Sequence, residues 1–316
     1  VLVPSRSGMA GTDNVVALSA TTVALIEGST GRELWRTTLP VAAVNATVVS
    51  DSRSQAILLI DDSLQRLFIL DAVNGNLLSQ IKLPRRVVGA PVILSGQPAQ
   101  GTGQIVLAYD SGQIEIRNMK GAIVRSGDAG SPATTPPLFI KGRGGDFILV
   151  GTRGGLTALT SSDLYPLGMV AIKEDTPRGT LAAEDLDGDG SLEVIMMTAR
   201  GRLIAISGAE GRTIWEATVG NDAQSVAFAD VDADRFLDVL VAGGQSFALA
   251  LSGKDGSLLW KDNDLPGVVA NHSVALAPRS ILSMRYGSGA LLIAGDPSGN
   301  GLRALEFPKG TAPPQR

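Results

Sequence analysis

The nine residues from Asp185 to Glu193, DLDGDGSLE, carry acids at 185, 187, 189 and 193 in a chain that is only 18% charged. Alternate acids in a tight loop bring carboxylates toward one point, and their mutual repulsion calls for a cation. Calcium suits such a set, because it takes six to eight oxygen ligands, accepts backbone carbonyls beside carboxylates and tolerates irregular geometry. In this reading Asp185, Asp187 and Asp189 coordinate, Gly190 makes the sharp turn, Ser191 offers its main-chain carbonyl and Glu193 closes the site. The loop holds no nitrogen or sulfur ligand, which argues against zinc and the softer metals. An EF-hand is rejected: its twelfth position requires an acid and would fall on Met196, inside the apolar run EVIMMT. The plain alternative is a polar turn, since Asp and Gly dominate turns whatever they bind.

A twin, DVDADRFLD, starts 45 residues later. Asp230, Asp232, Asp234 and Asp238 match the four acids, Phe236 stands where Ser191 offers its carbonyl, and Arg235 replaces the turn glycine. A non-glycine residue there must accept an unfavourable positive φ or alter the turn. It also brings a positive charge to the site, and whether this second loop holds metal stays open.

The interval between the loops belongs to a repeat of the whole chain. The pattern GRLIAISGAEGRTIW, an apolar strand, a turn ending in glycine and a second strand, recurs in VALIEGSTGRELW, LFILDAVNGNLLS, IEIRNMKGAIVR and ALALSGKDGSLLW. Weaker copies are LTALTSSDLYPL and LRALEFPKG. The turn residue is read at Gly31, Gly75, Gly121, Asp163, Gly211, Gly256 and Gly310, which makes seven units of about 45 residues. Period-two alternation, strict in QIEIRN, marks strands. A four-stranded unit of this length is a propeller blade, because one twisted sheet cannot bury both faces until neighbours pack on it radially. The expectation is therefore an all-β chain, a seven-bladed β-propeller of four-stranded antiparallel blades forming one domain over residues 1–310, with a Pro-rich tail at 311–316. The segment VLVPS supplies the first strand of the first blade, and ring closure at the last blade is left open.

These units resemble two repeat families. The strand, glycine turn and tryptophan of GRLIAISGAEGRTIW, TVALIEGSTGRELW and ALALSGKDGSLLW are similar to the repeat of pyrroloquinoline-quinone (PQQ) propellers. The segments AAEDLDGDGSLEVIMMT and AFADVDADRFLDVLVAG look like the calcium loops of FG-GAP propellers, the family that includes integrin α-subunit heads. The second resemblance implies that Asp185, Asp187, Asp189 and Glu193, with Asp230, Asp232, Asp234 and Asp238, hold structural calcium in loops joining adjacent strands of a blade. The quinoprotein dehydrogenases in the first family stack their cofactor between a tryptophan and a vicinal disulfide, and this chain has no cysteine. Trp35, Trp215 and Trp260 occupy the repeat's own packing position and read as core. Non-enzymatic PQQ-like propellers also serve as assembly scaffolds of the bacterial envelope.

Catalytic groups are scarce. With one histidine, His272, and no cysteine, a His- or Cys-based triad has little to work with. Neither a G-x-S-x-G elbow nor a P-loop occurs. A net charge of −4 supplies no basic field for nucleic acid. No apolar run reaches the roughly 18 residues a membrane helix needs, and no signal peptide is read. Multi-carboxylate calcium sites suit compartments rich in the ion, and the lack of cysteine fits a bacterial envelope better than a disulfide-rich animal ectodomain. The expected function is a non-enzymatic, monomeric binding or scaffold module outside the cytoplasm: periplasmic, at the cell surface or secreted. Its partner would be a protein or a polysaccharide. The rival expectations are a PQQ-dependent or polysaccharide-acting enzyme, which needs groups such as Arg178 or Arg200 converging with Asp175, and the ligand-sensing ectodomain of a membrane signalling protein.

Overall fold

The computed structural model describes residues 2–3, 14–27, 30–50, 55–94, 103–142, 145–232, 234–243, 248–262, 290–295 and 302–307. Every regular element among them is a β-strand, as the period-two patterning predicts. Within each sheet the strands lie side by side in chain order.

The chain forms two compact units, Val1–Met169 and Val170–Arg316. In the first, one sheet contains strands Leu2–Val3, Asn14–Ser19, Thr22–Ile26 and Glu33–Thr38, so the N-terminal VLVPS does supply a first strand. The second sheet contains Ala43–Ser50, Gln55–Asp61, Arg66–Asp71 and Leu77–Lys82, and the third Val92–Leu94, Gln104–Ala108, Gln113–Asn118 and Ile123–Asp128. A fourth contains Leu138–Ile140, Phe147–Thr152, Gly155–Thr160 and Pro166–Ala171. The second unit holds a fifth sheet of Pro177–Glu184, Glu193–Thr198, Arg202–Ser207 and Thr213–Thr218. Its sixth sheet contains Ala223–Ala229, Asp238–Gly243, Ala248–Leu251 and Leu258–Asp262, and a strand pair, Ala290–Gly295 with Leu302–Phe307, follows. Gly310, His272 and the tail at 311–316 lie outside the described residues.

The middle strands of a sheet are buried on both faces. Gln55–Asp61 (QAILLID) and Glu193–Thr198 (EVIMMT) are buried almost throughout, which explains their continuous β-branched and apolar runs. Ile57, Leu59, Phe68 and Leu70 pack toward the first sheet with Val23 and Leu25, whereas Leu58, Ile60, Leu67 and Ile69 pack toward the third with Ile105 and Leu107. In the second unit Ile195, Leu203 and Ala205 meet Val239, Val241, Leu249 and Leu251 in the same manner.

The hairpin between third and fourth strands repeats in detail. A register shift falls between Leu25 and Ile26, Ile69 and Leu70, Ile116 and Arg117, Ala205 and Ile206, and Ala250 and Leu251. In the fourth sheet the left-handed turn position is Leu164, at φ +60°, rather than Asp163. Leu164 N–H closes that turn on Thr160 O, as Gly75 N–H does on Asp71 O, while the Asp163 carboxylate accepts the Thr160 and Ser162 hydroxyls. A positive φ on a leucine made the more turn-like Asp163 the natural choice from sequence.

Tryptophans lock one sheet to the next. Trp35 Nε1 donates to Ala72 O at 2.9 Å and Trp215 Nε1 to Gly253 O at 2.8 Å, so both act as core between sheets.

Candidate metal centre

Each acidic loop joins the first and second strands of its sheet: residues 185–193 in the fifth, 230–238 in the sixth. The residue after the first acid anchors the loop, since Leu186 and Val231 are both buried. The last acid opens the second strand and turns inward. Glu193 Oε2 accepts the Leu186 N–H at 2.9 Å, and Asp238 Oδ2 accepts the Val231 N–H at 2.9 Å.

Backbone amides curl around the remaining carboxylates. Asp185 accepts the N–H of Gly188 (2.7 Å) and Gly190 (3.0 Å), Asp187 that of Asp189 (3.1 Å), and Asp189 that of Ser191 (2.6 Å). In the twin, Asp230 accepts the Arg235 N–H (3.1 Å), Asp232 that of Asp234 (3.1 Å), and Asp234 that of Phe236 (2.8 Å). Gly190 sits at φ +83° and Arg235 at φ +78°. The arginine therefore accepts the left-handed strain, and the turn is preserved.

The loops gather different acids. One oxygen from each of Asp185, Asp187 and Glu193 falls within 4.8 Å of the others, and Asp189 stands outside that trio. In the second loop the trio is Asp230, Asp232 and Asp234, and the shorter Asp238 stands outside it. Both donor sets are all-oxygen, the chemistry of a hard cation. Asp230 Oδ1 is buried with no hydrogen-bond partner, an orphan that a cation would satisfy. Burial first, then the charges of Asp187, Asp189 and Asp185, hold the Glu193 carboxyl above its usual range despite the Leu186 N–H. Burial likewise pushes Asp238 up to about 6, against the lowering effect of the Val231 N–H and with Asp232 and Asp234 adding to the rise. The donor set of Asp185, Asp187 and Glu193 fits a calcium ion, which would offset its like-charge repulsion, and the set of Asp230, Asp232 and Asp234 is likewise all oxygen.

One contact was missed from sequence. Lys254, in the hairpin turn of the sixth sheet, donates to Asp234 Oδ2 at 2.7 Å, and its ammonium lies 3.7 Å from the centroid of the Phe236 ring. That ring in turn borders the first loop, because a Cβ added to Gly188 would stand 3.3 Å from Phe236 Cε1. The signal was present in the repeat: SGKDG in the sixth unit aligns with SGAEG in the fifth, so a lysine replaces Ala209.

The basic residues considered for catalysis have other partners. Arg178 donates to the carbonyls of Thr198 (2.9 Å) and Ala223 (2.8 Å), tying the fifth sheet to the sixth. Arg200 gives Asp175 only its backbone N–H, and the side chain facing that carboxylate is Arg202, Nε to Oδ2 at 3.1 Å. Burial would raise Asp175, but donors from Thr198, Thr176, Arg202 and Arg200 outweigh it and bring the carboxyl down to about 2.

No curated protein matches this chain. Among solved structures, BamB from Moraxella catarrhalis is 17% identical, with a TM-score of 0.63 over 97% of this chain and 81% of that one. BBS1N in complex with ARL6DN is 16% identical, with a TM-score of 0.67 over 99% and 93%. The computationally designed Ika8 protein is 13% identical, with a TM-score of 0.60 over 94% and 80%. At these identities the likeness is one of fold, and with BamB and BBS1N among the neighbours the all-β sheets described above are those of a β-propeller. The family model described as outer membrane protein assembly factor BamB matches residues 15–176 and 186–311, nearly the whole repeat, and the chain therefore belongs to that PQQ-like propeller family.

Proposed function

We propose that this chain is a non-enzymatic, extracytoplasmic scaffold, a seven-bladed propeller over residues 1–310 that binds another protein and is stabilised by calcium in the FG-GAP manner. The observation that carries the calcium reading is the first loop. There Asp185, Asp187 and the buried Glu193 converge, and no Lys or Arg side chain pairs with them among the described residues. The family's name, that of an outer-membrane assembly factor, supports a protein partner and a place outside the cytoplasm. The propeller BBS1N, solved with ARL6DN, supports the same mode of use. Polysaccharide binding is the second reading for the partner.

Calcium here is structural, because an ion that binds the folded chain and barely the unfolded one stabilises by mass action, by about 2.7 kcal/mol at a hundredfold excess over Kd. Thermal unfolding with calcium and with chelator tests this. The expected result is a midpoint several degrees lower in chelator, with the response lost in Asp187→Ala. A midpoint indifferent to calcium in the parent protein sinks the calcium reading and leaves the loops as turns.

A further inference from the structure

We propose that Lys254 is the resident cation of the second acidic loop, a tethered ammonium that keeps calcium out of that loop while the first loop takes the ion. This rests on the calcium reading above.

The two loops share length and the spacing of their four acids, and they differ in the turn residue, Gly190 against Arg235, and in what stands over them. In both sheets the hairpin between third and fourth strands presses on the acidic loop through a glycine. A Cβ on Gly208 would lie 2.2 Å from Leu192 O, and one on Gly253 would lie 1.9 Å from Leu237 O. Only glycine allows that approach, and it carries the next residue to the loop's edge. In the fifth sheet that residue is Ala209, which brings no charge. In the sixth it is Lys254, whose ammonium reaches Asp234, one of the three acids that gather there.

Three features make the ammonium a competitor for the ion. It is covalently tethered, so its local concentration does not fall on dilution. Its hydrogen bond to Asp234 is charge-assisted. The Phe236 ring beneath it adds a cation–π contact that helps hold the ammonium at the loop. Arg235, at the turn position, adds a second positive charge that the first loop lacks.

Calcium binding counted by isothermal titration calorimetry tests this on the parent chain, Lys254→Ala and Ala209→Lys. Both positions are in solvent-facing turns, with the Lys254 side chain 44% exposed, so the fold should tolerate them. One ion is expected in the parent and two in Lys254→Ala. Ala209→Lys should weaken the first loop by about tenfold, through one added positive charge at short range. Two ions in the parent, or one ion in both the parent and Lys254→Ala, overturns the role of Lys254 and leaves the calcium reading intact. No ion in either protein sinks the calcium reading itself.

Discussion

Glu115 and Arg117 sit two apart on the strand Gln113–Asn118, in the strictly alternating segment QIEIRN. Alternation in a half-solvated strand would turn both outward, yet both are buried. Arg117 Nη2 meets Glu115 Oε2 at 2.7 Å, Arg117 Nη1 donates to Gly121 O at 2.7 Å, and the Tyr109 hydroxyl donates to Glu115 at 2.6 Å. Burial, then the Glu115 carboxylate, drive the Tyr109 hydroxyl well above the ordinary phenol range. The polar face of this strand is thus neutralised by its own members where the second sheet uses Phe68 and Leu70. Breaking one partner leaves the other charge uncompensated, so Glu115→Gln should destabilise by about 3 kcal/mol. The double variant Glu115→Leu with Arg117→Leu should recover most of that loss, and urea unfolding of the two measures it. A single variant as stable as the parent would show that the pair contributes nothing.

The unit of construction is the hairpin between third and fourth strands: a bulge, a left-handed turn residue and, in two cases, a tryptophan reaching the next sheet's turn. The bulge inserts a residue just after the turn, on the fourth strand (Leu34, Leu78, Val124, Ile214 and Leu259), which re-aims the chain and increases local twist. The glycine then receives the tryptophan. A Cβ on Gly256 (φ +71°) would stand 2.6 Å from Trp215 Cε3, and one on Gly75 (φ +75°) 2.6 Å from Trp35 Cε3. Gly130 has a similar φ of +79° with nothing within 4 Å of the added atom. Backbone strain and overpacking can therefore be separated. Gly130→Ala should lose about 1 kcal/mol from left-handed strain alone, and Gly256→Ala about 3 kcal/mol from strain and clash together. Equal losses in chemical denaturation would mean that Trp215 moves aside at no cost and does not lock the sheets.

For the molecule as a whole, membership of a PQQ-like family raises the question of the quinone. The enzymes of that family, as the resemblance has it, need a tryptophan face and a vicinal disulfide. Trp35 and Trp215 have their indole N–H groups tied to carbonyls of the next sheet, and cysteine is absent from the sequence. Titration of PQQ against the protein should leave the cofactor's absorption spectrum unchanged near equimolar concentration. A saturable spectral change would overturn the scaffold reading in favour of the enzyme.

What the sequence by itself determined is whatever depends on local spacing. The repeat, the strand class, the tryptophan position and both acidic loops are legible because a turn, a period-two strand and an alternate-acid loop each draw on residues within about ten positions of one another. At Arg235 the sequence left a choice between a positive φ and an altered turn, and the structure shows the first. Only the tertiary structure decided which groups meet. Glu193 joins Asp185 and Asp187 while Asp189 stays apart, because the second strand carries the longer side chain inward. Lys254 reaches Asp234 because Gly253 lets one hairpin lie on another's loop. Glu115 and Arg117 are buried because neighbouring sheets cover both faces, and burial is set by what packs on a strand, which no period within the strand encodes.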